Sequence, residues 1–198
     1  MRVLSRFLAA ATDAAQFPAP SLPEIAFLGR SNVGKSSLIN ALLGRRLARV
    51  STTPGKTRLL NVYEVRLPPV PRAAYLLDLP GYGYARAGKA ERRGFQTLVA
   101  DTVHRSSLGG VVWLLDLRRD PSIEDQAILT LLAQRGAPVL AALTKNDALG
   151  RTERGRREGA LRAALGLDAD QIVLTSARTG DGIADLRVAV GRFVAAAG

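Results

Sequence analysis

A glycine-rich run near the start of the chain has the residue types and the spacing that bind phosphate. Residues 29–36 read GRSNVGKS and match the pattern GxxxxGK[ST]. Glycines let backbone amides turn inward around an anion, and the positive end of a following helix adds to the attraction. We expect Lys35 to reach the terminal phosphates and the Ser36 hydroxyl to ligate magnesium. The alternative is an ordinary glycine turn, but the run lies between an expected strand and an expected helix, as phosphate binding requires.

A second motif, DLPG at residues 78–81, follows the phosphate-binding run at the end of another expected strand. An aspartate in this place orders magnesium, directly or through water. The Gly81 amide can bond the γ-phosphate, so the loop after it would sense that phosphate. A lone DxxG is a weak signal, because an aspartate at a strand end is common. In this order and spacing it is strong.

The run TKND at residues 144–147 matches the base-reading pattern [NT]KxD. The Asp147 carboxylate can accept two hydrogen bonds from guanine, from N1–H and from the exocyclic amine, and adenine has neither donor there. A base without those donors leaves the carboxylate unpaired, which lowers the binding free energy by about a kilocalorie per mole or more. Lys145 would pack its stem over the base, and a backbone amide of residues 175–177 could bond the guanine oxygen. The three main motifs arise together by chance in roughly one chain in 10⁵, so they predict a guanine-nucleotide site.

The segment after the first expected helix, residues 45–58, lacks periodicity and is expected to be a loop. It holds three threonines, one of which should close over the γ-phosphate and ligate magnesium. Thr57 is favoured because Gly55 permits a backbone turn just before it. Thr53 is the alternative, and Thr52 is expected to be a solvated loop residue.

The elements that must hold these motifs follow from the apolar periodicity. Apolar strands alternate with helices, which predicts an α/β fold with three layers and a mostly parallel sheet with one antiparallel edge strand. Ligands of such sheets bind at the carboxyl ends of the strands, where every motif falls. The predicted strands are residues 24–29, 60–67, 74–79, 110–117, 138–143 and 172–175, and the predicted helices are residues 36–43, 95–104, 123–135, 152–165 and 183–197.

Composition narrows the class of protein. The chain has 198 residues, which fits one domain, and it has no cysteine, which excludes disulfides and thiolate metal sites. That suits a reducing compartment, and we expect a cytoplasmic protein without a membrane span. Residues 1–22 are expected to be an N-terminal arm rather than a signal peptide, because Asp13 and Gln16 interrupt the region where cleavage would fall. Residues 23–198 form the predicted domain.

The basic surplus leaves two interpretations open. The formal net charge is +11, and all but four of the 28 basic residues are arginine. One interpretation is a genome-wide arginine bias on a solvated surface. The other is a phosphate-rich partner such as RNA, because arginine forks onto phosphate and stacks on bases.

Taken together, the motifs closely resemble the EngB (YihA/YsxC) family of bacterial GTPases. The matching stretches are PEIAFLGRSNVGKSSLINALLG, STTPGKTRLLNVYEV, DLPGYGYA, LLDLRRDPSIEDQ and LTKND. The GRSNVGKSSLIN and DLPGYGYA wording separates this family from the Era and TrmE GTPases. The resemblance implies a monomeric, Ras-like P-loop G domain that binds GTP or GDP with magnesium and hydrolyses GTP. It also implies a role in assembly of the large ribosomal subunit and in cell division and septation, with ribosomal RNA rather than DNA as partner.

The resemblance carries the nucleotide contacts over to this chain, with Ser36, Thr57 and Asp78 as magnesium ligands and Lys35, Thr57 and Gly81 as catalytic candidates. Departures at Asn146 and Ala148 should not affect the choice of base, and the arginine-rich helix after Gly150 resembles nothing closely. The implied contacts are Gly29, Arg30, Ser31, Asn32, Val33, Gly34, Lys35, Ser36, Ser37, Gly55, Lys56, Thr57, Arg58, Leu59, Asp78, Leu79, Pro80, Gly81, Thr144, Lys145, Asn146, Asp147, Thr175, Ser176 and Ala177.

Two positions bear on the rate of hydrolysis. Many GTPases place a glutamine directly after DxxG to orient the attacking water, and here that position is Tyr82. We therefore expect slow intrinsic turnover, with water positioned by a partner or another group. Tyr82 itself has two alternative roles, a catalytic one and simple packing of the loop. Asn32 is a candidate ligand for a potassium ion beside the β–γ bridge, as in the related TrmE family. The plain alternative is that Asn32 only caps the loop.

Arginines around the expected loops are the natural contacts if RNA is the partner. Trp113 and His104 are expected to be packing residues. The competing function is a nucleotide-dependent RNA- or ribosome-binding switch in which hydrolysis is secondary. The candidate RNA contacts are Arg45, Arg46, Arg49, Arg86, Arg92 and Arg93.

Overall fold

The computed structural model describes residues 3–11, 16–19, 21–49, 59–70, 72–83 and 88–197. Within those residues the strands form one sheet, and helices cover it. The strands are β1 (Leu4–Ala11), β2 (Glu24–Gly29), β3 (Leu60–Arg66), β4 (Ala73–Asp78), β5 (Leu108–Asp116), β6 (Val139–Thr144) and β7 (Ile172–Leu174). The helices are α1 (Lys35–Leu43), α2 (Lys89–Val103), α3 (Ile123–Gln134), α4 (Arg151–Leu165) and α5 (Ile183–Ala196), with short 3₁₀ turns at Asn146–Ala148 and Ala169–Gln171.

The order of the strands across the sheet is β1-β3-β4-β2-β5-β6-β7. Strands β4, β2, β5, β6 and β7 run parallel, whereas β3 is antiparallel to β4. The predicted α/β class with a mostly parallel sheet is confirmed. The edge has one strand more than expected, because β1 pairs antiparallel with the outer side of β3. The residues of β1 fall in the segment that we expected to be an arm.

Helices lie on both faces of the sheet, which confirms the three layers. Side chains of β2 alternate between the faces, with Ile25 and Phe27 in one apolar cluster and Ala26 and Leu28 in the other. The first cluster takes residues from α1 and α5, and the second takes residues from α2, α3 and α4. Among the residues that the structure describes, no helix combines the length and the apolar character needed to cross a membrane.

Helix α2 departs most from its predicted bounds. It begins at Lys89, whereas the sequence predicts a loop as far as residue 93 and a helix from Phe95. Glycines in the preceding segment favoured the loop, but the last of them before the helix, Gly88, has an extended backbone and forms the N-cap. At the other end, His104 is exposed at the C-cap, so its predicted packing role is wrong. Trp113 is fully buried, as predicted.

The parallel strands bring the predicted motifs to one edge of the sheet. Register pairs Gly29 with Leu114, and Asp116 with Thr144, so the ends of β2, β5 and β6 lie side by side. Asp78 ends β4 on the other side of β2, where it is paired with Phe27. The loops that follow these strands therefore meet above the carboxyl edge.

Candidate nucleotide-binding site

The phosphate loop is a tight backbone turn between β2 and α1. A β-carbon on Gly29 would lie 2.9 Å from Val33 Cγ1 and 3.0 Å from Leu114 Cβ, so no side chain fits at the start of the loop. Asn32 and Gly34 both have left-handed backbones, with φ of 62° and 102°. Left-handed residues let successive amides turn toward the same side, which is how a loop forms an anion-binding nest. The turn has the backbone that the sequence predicts.

The lysine and the aspartate predicted to face phosphate and magnesium are paired with each other. Lys35 Nζ donates a hydrogen bond to Asp78 Oδ1, and both side chains are buried. Magnesium takes oxygen ligands, and it is held by one or two protein groups together with substrate phosphates. The Asp78 carboxylate and the half-buried Ser36 hydroxyl provide that chemistry, so these residues fit the ion.

The segment after β4 lies directly against the phosphate loop. Ser31 N donates to the Tyr82 carbonyl oxygen at 2.8 Å, and Tyr82 N donates to the Gly29 carbonyl oxygen at 3.3 Å. A β-carbon on Gly81 would lie 3.1 Å from both Ser31 N and Ser31 Cα. These distances are shorter than a β-carbon usually keeps from backbone atoms, so glycine suits this close approach of the DxxG motif to the phosphate loop.

The Tyr82 side chain points into the protein. Its hydroxyl donates to Asp125 Oδ1 at 2.6 Å and accepts from Trp113 Nε1 at 2.8 Å, and its ring packs on Phe95. Burial, together with the nearby Asp125 carboxylate, raises the pKa of Tyr82 well above its usual value. The phenol therefore stays protonated. The structure therefore shows Tyr82 in the packing role, with its side chain inside the protein.

The base-reading segment is fastened to the phosphate loop by its own first two residues. Thr144 Oγ1 is buried and donates to the Val33 carbonyl oxygen at 2.8 Å. Lys145 has a left-handed backbone, and its Nζ donates to the Asn32 carbonyl oxygen at 2.9 Å and to Asp116 Oδ2 at 3.0 Å. The lysine stem is thus held beside the loop, in line with its predicted place next to a base.

Asp116 also belongs to this cluster, although its sequence context predicts no role for it. It ends β5 and pairs with two basic side chains, because Arg118 Nη2 donates to Oδ2 at 2.8 Å in addition to Lys145. Burial raises the pKa of Asp116, but the hydrogen bonds from Arg118 and Lys145 outweigh it, and the net pKa lies well below the usual value. The signal was an aspartate ending a buried apolar strand, which is also how Asp78 is placed.

The carboxylate predicted to read guanine is occupied by a neighbouring side chain. Arg178 Nε donates to Asp147 Oδ2 at 2.7 Å. Hydrogen bonds from Ser176 and then from Arg178 lower the pKa of Asp147, so it is ionised at neutral pH. The guanidinium is 74% exposed, so donors from a base could replace it at low cost.

The loop at residues 175–177 lies beside the base-reading segment. Asn146 N donates to the Thr175 carbonyl oxygen at 3.2 Å, and Asn146 Nδ2 donates to Asp181 Oδ2 at 2.5 Å. Ser176 Oγ accepts from two following amides and so closes a turn. Ala177 is exposed. The side chain of Asn146 therefore joins two loops, and the predicted segments are next to each other.

Several predicted contacts lie outside the described residues, namely Gly55, Lys56, Thr57 and Arg58, with Thr52 and Thr53. The magnesium role of Thr57 therefore stays a prediction. Leu59 is described and is 39% exposed just before β3. Asn32 is exposed, and its backbone is engaged by Lys145.

Comparison with known proteins identifies the family of the chain. A family model described as "50S ribosome-binding GTPase" matches residues 24–145. A probable GTP-binding protein EngB from Pelotomaculum thermopropionicum is 40% identical over 98% of this chain and 97% of that protein.

Solved structures agree on the fold. The crystal structure of a probable GTP-binding protein engB has a TM-score of 0.68 at 22% identity, over 87% of this chain and 98% of that one. Era in complex with MgGDPNP and nucleotides 1506–1542 of 16S ribosomal RNA has a TM-score of 0.71 at 22% identity, over 87% of this chain and 56% of that one. The near full-length match of sequence and the match of the family model show that the chain belongs to the EngB family of GTP-binding proteins and is a P-loop GTPase.

Proposed function

We propose that this GTPase acts in assembly of the large ribosomal subunit, with slow intrinsic turnover that a ribosomal partner stimulates. Loss of this activity would impair cell division and septation. The protein would act as a cytoplasmic monomer, with ribosomal RNA as its contact. One observation carries the proposal: the family model that matches residues 24–145 is described as a ribosome-binding GTPase.

Charge and exposure support an RNA contact. The net charge is +11, and five of the six candidate arginines are exposed, while Arg86 lies outside the described residues. Era, which shares the fold, was solved with ribosomal RNA. Arginine contacts to phosphate release counterions, so affinity would fall steeply as salt rises. The exposed candidates are Arg45, Arg46, Arg49, Arg92 and Arg93.

Co-sedimentation with purified ribosomal subunits tests the proposal. We expect the chain to pellet with the large subunit in the presence of a non-hydrolysable GTP analogue, and much less with GDP or without nucleotide. The small subunit is the matched control. Equal binding to both subunits, or binding that salt does not weaken, would contradict the proposed partner.

We propose the following roles in the site. The phosphate loop and Lys35 bind the phosphates, and Gly81 with Thr57 contacts the γ-phosphate as charge develops on it. Ser36, Thr57 and Asp78, the last of these directly or through water, would hold magnesium, which would neutralise phosphate charge. Asp147 reads the guanine, and residues 175–177 bond its oxygen. The remaining contacts are those implied by the family resemblance.

Slow turnover follows from the position of Tyr82. Its hydroxyl is engaged inside the protein, so it does not orient a water molecule at the phosphate. The same observation favours the second candidate function, a nucleotide-dependent ribosome-binding switch in which hydrolysis is secondary. Turnover measured with and without large subunits separates the two. Strong stimulation supports a timed GTPase, and an unchanged rate with nucleotide-dependent binding supports the switch.

Potassium is a further proposed cofactor, held by the Asn32 side chain beside the β–γ bridge. There it would supply positive charge as the bond breaks. Replacing sodium with potassium should raise turnover, and Asn32→Ala should abolish the rise. Because Asn32 has a φ of 62°, Asn32→Gly is the better variant, since glycine adopts that backbone without strain. Equal rates in the two salts would rule out the potassium site.

A further inference from the structure

The residue after Gly81 is linked to the only tryptophan of the chain. Trp113 is fully buried in the middle of β5, and its indole N–H donates to the Tyr82 hydroxyl. That hydroxyl in turn donates to Asp125, at the start of α3. The other carboxylate oxygen of Asp125 accepts from the backbone amide and the hydroxyl of Ser122 at 2.8 and 2.7 Å. Each polar group of this buried chain therefore has a partner.

The backbone of Tyr82 is held as firmly as its side chain. Its N–H and carbonyl oxygen are bonded to Gly29 and Ser31 in the phosphate loop. Arg30 closes the opposite side, because a β-carbon on Gly83 would lie 2.8 Å from Arg30 Nε, and Arg30 Nη1 lies 3.8 Å from Asp125 Oδ2. Gly81 thus directly precedes a residue that is hydrogen-bonded to β5, to α3 and to the phosphate loop.

We propose that Tyr82 is a positioning residue, whose buried hydroxyl fixes the Gly81 amide where a γ-phosphate can accept from it, and that Trp113 reports this state. The inference rests on the proposed role of Gly81. It assigns a second role to the packing of Tyr82, which is to set the ratio of the affinities of the site for GTP and GDP.

The energetic argument concerns what happens when Tyr82 leaves its place. The Asp125 carboxylate and the Trp113 N–H would each lose a buried partner, and unpaired buried groups are costly. The position of Gly81 against Ser31 is therefore populated before nucleotide binds. GTP binding then spends little free energy on ordering this loop. GDP has no γ-phosphate and makes no use of the Gly81 amide, so its affinity does not depend on this arrangement.

Tyr82→Phe tests the inference by removing only the hydroxyl. We expect affinity for a non-hydrolysable GTP analogue to fall about tenfold, the effect of one buried hydrogen bond to a charged group, with affinity for GDP unchanged. In the wild type, Trp113 emission should be the same in the two nucleotide complexes, because its bond to Tyr82 is in place before either nucleotide binds. In Tyr82→Phe the two complexes should differ in Trp113 emission, because only the GTP analogue draws residue 82 back into place.

A matched control separates positioning from stability. Tyr75, at the start of β4, is another buried tyrosine, and its hydroxyl lies 3.3 Å from Ser21 Oγ. Tyr75→Phe should lower the thermal midpoint of unfolding only by the amount of a lost hydrogen bond, and it should not change the ratio of the two affinities.

Each outcome decides a different question. Equal loss of GTP-analogue and GDP affinity in Tyr82→Phe, no loss, or a gain for the analogue would overturn the positioning role. If Tyr82→Phe does not fold, Asp125→Asn replaces one accepting oxygen by a donor and should shift the ratio in the same direction. Failure of the wild type to bind either nucleotide would instead overturn the proposed roles of the site residues.

Discussion

Replacing Lys35 with alanine should nearly abolish nucleotide binding and hydrolysis. A charge-assisted hydrogen bond contributes about 1.5–3 kcal/mol, so affinity for GTP and GDP should fall about 100-fold. Loss of one group that stabilises developing charge lowers turnover by a further factor of about 10²–10³. Equilibrium titration with fluorescent GDP and single-turnover hydrolysis measure the two effects separately.

The same variant should destabilise the nucleotide-free protein. Lys35 is paired with Asp78, which is 1% exposed, and removing one partner of a buried ion pair costs about 3–5 kcal/mol. The double variant Lys35→Ala/Asp78→Asn removes both charges, so it should regain stability in urea unfolding without regaining binding. Tight GDP binding by Lys35→Ala would contradict the assigned phosphate contact.

Asp147→Asn should change the base that the protein selects. The carboxylate offers two acceptors to the two donors of guanine, whereas an amide offers one acceptor and one donor. The amide N–H would then face a guanine donor, so GDP affinity should fall about 10³-fold. Xanthine has a carbonyl in place of the amine, so xanthosine diphosphate should bind better to the variant than to the wild type.

The control for this change is Asp120→Asn. Asp120 pairs with Arg157 at 2.7 Å but is 86% exposed, so its charge should not affect either nucleotide. Because the Asp147 pair with Arg178 is also exposed on the arginine side, Asp147→Asn should leave the free energy of unfolding nearly unchanged. A variant that still prefers GDP over xanthosine diphosphate would show that Asp147 does not read the base.

The parts that sequence predicts well are those set by local pattern. The strand at β2 has its predicted bounds because Ile25–Leu28 is an uninterrupted apolar run and a glycine turn follows. The phosphate loop, Asp78 and the base-reading run follow from spacing between an expected strand and helix. Their shared edge follows from the rule that parallel strands end together.

The parts that it misses depend on partners distant in the chain. Residues 4–11 form a strand because β3 offers an unpaired edge, and their alanine-rich sequence does not indicate it. Tyr82 meets Asp125 across 43 positions, and Arg178 meets Asp147 across 31. The sequence shows an aspartate at the end of β5, but it does not show that Asp116 pairs with both Arg118 and Lys145.

The arrangement of the first four strands has a consequence for how the chain folds. Strands β3 and β4 are consecutive and antiparallel, so their pairing closes a short loop and is entropically cheap. Strands β1 and β2 are synthesised earlier, but their neighbours on this side of the sheet are β3 and β4 respectively. Neither early strand has these partners until the hairpin has left the ribosome. The hairpin is therefore the expected template, and the amino-terminal strands add to its two sides only after it has formed.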